Sequence, residues 1–382
     1  MDLAGGAAVK ALALNAGSSS LKAALYDVEP GAALAAPAGA LWEAAVDGGP
    51  GAARALLADL PDDVGVVGHR IVHGGERFHE PAPLTGEVKE AVRAMAELAP
   101  LHNAAGLAGV AAAEERFADA AHVAVFDTAF HAGLAPAART YAGPHEWAER
   151  GLRRYGFHGI NHEYAAHRTA HLLGRPLEEL RLVTCHLGSG CSLAAIRDGR
   201  SVDTTMGFTP LEGVVMGTRS GSLDPGLLLH LLREESASVD GLDRLLNHGS
   251  GLRGLSGVSG DLREVLAARD RGDEHAALAL DVYVHRLRFH LGAMLGSLGG
   301  LDAVVFTAGV GEHAAEIRAA ALEPFAFLGL ELDRTRNAFA GPDDDVAAPG
   351  SAVRALVIGA QEEWAIARAA VEATAIAYLA GS

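Results

Sequence analysis

Apolar residues along this chain fall into two alternating patterns. Nearly continuous apolar runs, "KALALNA" (10–16), "HVAVFD" (122–127), "RLVTCHL" (181–187) and "DAVVFTAG" (302–309), read as buried strands. Between them, "EVKEAVRAMAELA" (87–99) and "EYAAHRTAHLLG" (163–174) place apolar residues at helical spacing. Strands alternating with helices predict an α/β fold. The stretch from Pro30 to Asp63 is rich in Ala, Gly and Pro and weakly patterned, which predicts a surface insertion with one short helix.

One local pattern occurs twice. Laid without gaps beside "NAGSSSLKAAL" (Asn15 to Leu25), the stretch "HLGSGCSLAAI" (His186 to Ile196) repeats a Gly-Ser turn between two apolar runs. Each reads as strand, tight turn, strand. Glycine lets backbone amides approach an anion closely and serine adds hydroxyl donors, so paired turns of this kind suit a phosphate; a plain β-turn is the other reading of either one alone. The repeat implies two related halves, each presenting one hairpin. A third glycine-rich segment, "FTAGVGEH" (Phe306 to His313), leads instead from a strand into a helix, where it suits either a nucleotide or close strand-to-helix packing.

Length and charge bound the rest. At 382 residues, two domains of ordinary size are the natural prior. A net charge of −17 argues against nucleic acid or an anionic membrane as partner, and an anionic substrate would need positive charge concentrated locally. No apolar run approaches the roughly 20 residues of a membrane span, and the first ten residues lack a signal pattern, so a soluble cytoplasmic protein is expected. The two cysteines, Cys185 and Cys191, exclude a disulfide framework and read as small buried hydrophobes, with a pairing across the hairpin as the alternative.

Several chemistries are excluded by spacing. The G-x-G-x-x-G loop opening a helix is absent, because "CSLAAIRDGRSVDTT" after Gly190 reads as strand, turn, strand, and no P-loop occurs. The histidines of "HEYAAH", His162 and His167, are five apart, about 140° around a helix, and cannot share a metal face. They are expected to be surface residues of an amphipathic helix.

Further polar groups gather in "GHRIVHGGERF", "VFDTAFH", "RRYGFHGINH" and "MGFTPLEGVVMGTRSGSLDPG". With "LNAGSSSLK", "LAPLHN", "HLGSGCS", "LSGVSGDLRE", "FTAGVGEH" and "QEEWAIAR", they occur in the order, and over nearly the full length, of the acetokinase family, which the chain resembles. That family belongs to the sugar-kinase and actin-like superfamily. The resemblance implies two actin-like (RNase H-like) α/β domains facing an interdomain cleft: 1–150 plus 364–382, and 151–363 with the nucleotide. It also implies a homodimer, and a reversible in-line transfer of the ATP γ-phosphoryl group to acetate, giving acetyl phosphate and ADP, with Mg²⁺ or alternatively Mn²⁺. Closure of the domains would exclude water.

Carried over residue by residue, the resemblance implies that Asn15 and Glu362 help hold the metal, with Ser18, Ser20 and Lys22 near the transferred group. Arg70 and Arg219 would grip carboxylate and phosphoryl oxygens, His158 would stabilise them, and Asp127 would orient the arginines or the metal. Val72, Leu101, Phe157 and Pro210 match the acyl pocket, Arg70 bordering it. The segments His186, Leu187, Gly188, Ser189, Gly190; Asp261, Leu262, Arg263; and Gly309, Val310, Gly311, Glu312, His313 match nucleotide contacts. Ser189, Leu262, Gln361 and His313 depart from the family pattern, which implies altered nucleotide affinity with activity retained.

The chemistry explains the residue types. A carboxylate with pKa near ~4–5 is ionised at neutral pH and needs no strong base to attack phosphorus. It needs relief of anion–anion repulsion and alignment, which arginines, lysine, histidine and a cation supply. Propionate or butyrate as acceptor, and an actin-like ATP-binding module without catalysis, are the alternatives.

Overall fold

The computed structural model describes residues 7–17, 20–47, 51–95, 100–234 and 238–381. They form two six-stranded mixed sheets. The first contains β1 (Val9–Ala16), β2 (Ser20–Val28), β3 (Trp42–Asp47), β4 (Val66–Ile71), β5 (Ala82–Pro83) and β6 (Ala121–Phe126), in the order β3-β2-β1-β4-β6-β5. The second contains β7 (Leu182–Leu187), β8 (Cys191–Arg197), β9 (Arg200–Thr204), β10 (Ala303–Thr307), β11 (Asp344–Asp345) and β12 (Arg354–Val357), in the order β11-β12-β10-β7-β8-β9.

Read from the opposite edge, the second order repeats the first strand for strand. The directions repeat too: β1 is antiparallel to β2 and parallel to β4, as β7 is to β8 and β10. The repeat seen in two eleven-residue segments thus extends over whole sheets. The hairpins themselves differ by one residue, since Ala16 pairs with Leu21 but Leu187 pairs with Cys191. A gapless comparison therefore slips by one after the turn, and the position equivalent to Lys22 is Ser192, not Leu193.

In the first unit β1 is buried on both faces: its Leu12 and Leu14 pack with Leu57 and Phe117, and the C-terminal helix Glu362–Gly381 packs on it as well. That helix packs across β1, β2, β4 and β6. Its approach to β4 is closest at Gly68, where a β-carbon would lie 2.8 Å from both Cγ2 and the carbonyl oxygen of Ile366. Only glycine leaves room there. Trp364, fully buried, donates its indole N–H to Leu34 O (3.0 Å) and meets Tyr26 edge-on. Phe78 stacks on Phe126 at 4.7 Å in a further cluster with Ile71 and Val92.

Several expectations are revised. The 30–63 stretch holds, besides the short helix Ala52–Leu57, the edge strand β3, whose Ala-rich sequence carries little strand signal. His162 is not a surface residue: it is fully buried against His131, because the helix Gly159–Leu173 is covered nearly all round at its start. The cysteines are both free and buried, and β7 pairs Cys185 with Leu193 and Leu187 with Cys191, so the two are diagonal neighbours. The compact units are 1–132, 157–168 and 361–382, and 133–156 with 169–360, where 1–150 plus 364–382 and 151–363 were expected. Residues 133–156 go with the second unit because Arg154 and Tyr155 bond to the segment after β9, whereas Phe157 packs on His73 and His162 on His131 in the first.

Candidate active site

In the first unit the ends of β1, β4 and β6 and the start of the C-terminal helix bring four predicted residues together. Arg70 on β4 donates from Nη1 to Asn15 Oδ1 (3.1 Å) and from Nη2 to Asp127 Oδ2 (2.7 Å). Asn15 in turn donates from Nδ2 to Glu362 Oε2 (2.8 Å) and Glu363 Oε1 (3.0 Å). Asp127 Oδ2 also accepts the backbone N–H of His158 (3.1 Å). His158 adopts φ +58, a left-handed conformation costly for a residue with a β-carbon, which the Asp127 bond helps hold.

The electrostatics are unbalanced. One guanidinium faces three carboxylates. Burial opposes the Arg70 charge, yet Asp127, Glu362 and Glu363 outweigh it and raise its pKa, so the guanidinium is fixed as a cation. Asp127 is 1% exposed, and its Oδ1 is buried with no hydrogen-bond partner. An excess of negative charge, all-oxygen donors and an orphaned carboxylate oxygen fit a hard divalent cation. Among the described residues no group of three or more His, Cys, Asp or Glu forms a protein-only cage.

Lys22 is the cross-strand partner of Asn15 and exposed; Ser20 closes the same hairpin, its carbonyl accepting Gly17 N–H (2.8 Å). Ser18 lies outside the described residues. Val72 and Phe157 are buried in the first unit, while the side chain of Leu101, in the helix Pro100–Arg116, lies outside the described residues.

The second unit gathers the nucleotide segments. Ser189, exposed at the tip of the β7–β8 hairpin, accepts Gly217 N–H on its carbonyl (3.0 Å), and Gly188 N–H bonds Gly190 O (3.0 Å). A β-carbon on Gly217 would lie 2.8 Å from Gly260 O, and one on Gly188 would lie 3.7 Å from Ala308 Cβ. His186 pairs with Thr307 at the end of β10, which runs directly into the short helix Ala308–His313. So 186–190, 217, 260–261 and 307–313 converge. The third glycine loop is indeed a strand-to-helix turn, and the first two are hairpins.

Local folding accounts for parts of these segments without any ligand. Asp261 caps the helix Leu262–Asp270, accepting Arg263 N–H (2.9 Å), and the exposed Arg263 guanidinium grips the same carboxylate. Leu262 is buried. Arg318, buried and lowered in pKa by burial, donates to the carbonyls of Gly311 and Glu312 (2.8 Å each), fixing the 309–313 segment from behind. Glu312 Oε1 accepts Ala360 N–H (3.0 Å), just before the Gln361–Glu362 turn. Arg219 donates to Pro210 O (3.0 Å), which joins one predicted catalytic residue to one predicted pocket residue; Pro210 is half-buried.

Sequence reasoning missed Glu363, Arg318, Tyr141 and Glu212. The doublet "EE" at the head of the last helix was the available signal for Glu363; Tyr141 had none.

A duplicated α/β fold carrying a buried arginine–carboxylate cluster and convergent glycine turns is that of a phosphotransferase. A family model described as the acetokinase family matches residues 53–368. The acetate kinase of Gloeobacter violaceus is 52% identical, covering 94% of this chain and 98% of that protein. The crystal structure of Porphyromonas gingivalis acetate kinase superposes with TM-score 0.86 at 35% identity, over 96% of this chain and all of the other. A propionate kinase from Francisella tularensis gives 0.84 at 33%, over 94% and 98%. The chain belongs to the acetokinase family.

Proposed function

We propose that the chain transfers the γ-phosphoryl group of ATP to acetate, reversibly, giving acetyl phosphate and ADP by direct in-line displacement. The observation that carries this is the 52% identity to an acetate kinase across 94% of the chain. The buried, doubly oriented Arg70 supports it.

Acetate arrives ionised, so the site's task is to draw two anions together and align them. Arg70 offers a permanent cation whose two arms are fixed by Asn15 and Asp127. Arg219, oriented by Pro210 O, grips the remaining oxygens, and His158 and Lys22 add donors. Val72, Leu101 and Phe157 of the first unit are assigned to the acyl group, as is Pro210 of the second. Asp127 acts as an orienting carboxylate more than as a proton acceptor, its Oδ2 accepting both the Arg70 guanidinium and the His158 N–H. Glu362 and Asn15 would help hold Mg²⁺ (or Mn²⁺), Asn15 also fixing the Glu362 and Glu363 carboxylates; such a cation would supply charge neutralisation at the phosphates. Ser18, Ser20 and the convergent turns of the second unit take the nucleotide.

Two further parts belong to this reading. The helix Pro225–Arg233 has no buried residue and exposes Leu227, Leu229 and Leu232; Leu223 just before it and Val239 and Leu245 of the helix Val239–His248 are exposed too, apolar surface suited to a second copy in a homodimer. The free thiols fit the cytoplasm, and among the described residues no helix is long and apolar enough to cross a membrane.

The test is carboxylate-dependent ADP release, with hydroxylamine trapping of acyl phosphate, over acetate, propionate and butyrate. Acetate is expected to give the highest kcat/KM. The propionate kinase likeness makes propionate the second reading, because one methylene changes binding by only about 1–3 kcal/mol. ATP binding with no acid-dependent turnover would leave only a nucleotide-binding module.

A further inference from the structure

The segment between β9 and the helix Pro225–Arg233 carries Pro210 and Arg219 but has no regular structure to hold it. Side chains do so instead. Arg154 Nη1 donates to the carbonyls of Thr204 (3.1 Å), Thr205 (3.1 Å) and Met206 (2.9 Å), and its Nη2 donates to Glu212 Oε1 (2.6 Å). Tyr141 donates its hydroxyl to Glu212 Oε2 and accepts Phe208 N–H (2.8 Å) on the same oxygen. The Arg154 guanidinium lies 5.7 Å from the Tyr141 ring centre. Every one of these residues belongs to the second unit.

The lock is built closely. A β-carbon on Gly207 would collide with the Glu212 carboxylate and the Tyr141 hydroxyl. Burial and the Glu212 carboxylate raise the Tyr141 phenol, so it stays protonated as a donor. Two residues before Glu212 stands Pro210, whose carbonyl takes Arg219 Nη1; one residue after it, Gly213 turns at φ +110, with its N–H held by Ser222 Oγ (3.0 Å). A carboxylate gripped at both oxygens thus stands two residues from a carbonyl to which the arginine donates.

We infer that Glu212, locked between Arg154 and Tyr141, is a positioning residue that sets Pro210 and through it the guanidinium of Arg219. The inference rests on the proposed function for what Arg219 then does. A lock of this kind acts on carboxylate and phosphoryl alignment at Pro210 and Arg219, whereas the 186–190 turn meets the segment at Gly217, five residues beyond Glu212, and 307–313 is held from behind by Arg318.

The experiment joins steady-state kinetics to hydrogen exchange of the 205–222 segment in Glu212→Gln, Glu212→Asp and Tyr141→Phe. The expected result is faster exchange in that segment for Glu212→Gln, a KM for the acid raised at least ~10-fold, and a KM for MgATP within about twofold. Tyr141→Phe should change both readouts in the same direction by less, without adding to Glu212→Gln, and Glu212→Asp should restore part of the loss. Unchanged exchange in both Glu212→Gln and Tyr141→Phe overturns the inference, as does an equal rise in both KM values, which marks a general loss of structure. If the wild-type chain releases no ADP with any acid, the proposed function falls, and the exchange data still decide whether Glu212 holds this segment.

Discussion

Arg70 shows how a single side chain is made into a fixed cation. Its two arms end on an amide oxygen and a carboxylate, and those partners are themselves held, Asn15 by Glu362 and Glu363, Asp127 by the His158 backbone. Asn15, Arg70, Asp127 and Glu362 were legible from their motifs. Glu363 was not, because a Glu pair in the first turn of a helix is already explained by the helix dipole, and only the fold brings Asn15 Nδ2 between both carboxylates. Asp127→Asn removes one of three carboxylates and weakens the Arg70 anchor. We expect kcat/KM to fall about 10²–10³-fold, with half-maximal activity at higher Mg²⁺; a Mg²⁺ titration checks this. An unaltered Mg²⁺ response with only a displaced pH profile would instead make Asp127 a proton acceptor.

At the scale of elements, the hairpins and the strand-to-helix turn were read correctly because glycine, serine and apolar runs leave few alternatives. β3 in the 30–63 stretch was not, although the short helix beside it was, since an Ala-rich edge strand pairs only because β2 is beside it. The C-terminal helix is an element whose place no local signal sets, and its seat on β4 depends on Gly68. Gly68→Val puts three carbons where the first already meets Ile366 at 2.8 Å. Overpacking of this kind costs about 1–3 kcal/mol, and because the helix begins with Glu362 and Glu363, both Tm and activity are expected to drop. A thermal melt matching the wild type would show that the helix can shift without cost.

For the whole molecule, the −17 net charge requires positive groups to be concentrated, and each unit meets that with buried or anchored arginines. The exposed leucines of the helix Pro225–Arg233 make a different demand, which a second copy would satisfy. If the wild type sediments as a dimer, Leu227→Glu with Leu232→Glu is expected to halve that mass; a wild type that is already a monomer, or a variant that stays a dimer, counts against this surface as the dimer face. The sequence by itself determined the α/β class, the twofold repeat, the family and the four residues that meet around Arg70, because strand runs, glycine turns and ordered motifs are local signals. Tertiary structure alone decided that the repeat spans both sheets with one hairpin a residue shorter, where 133–168 divides between the units, and that His162 is buried. It alone revealed the partners that aim the arginines, Glu363, Glu212 and Tyr141. Those depend on residues distant in sequence meeting through packing and hydrogen bonds, and no local pattern records such meetings.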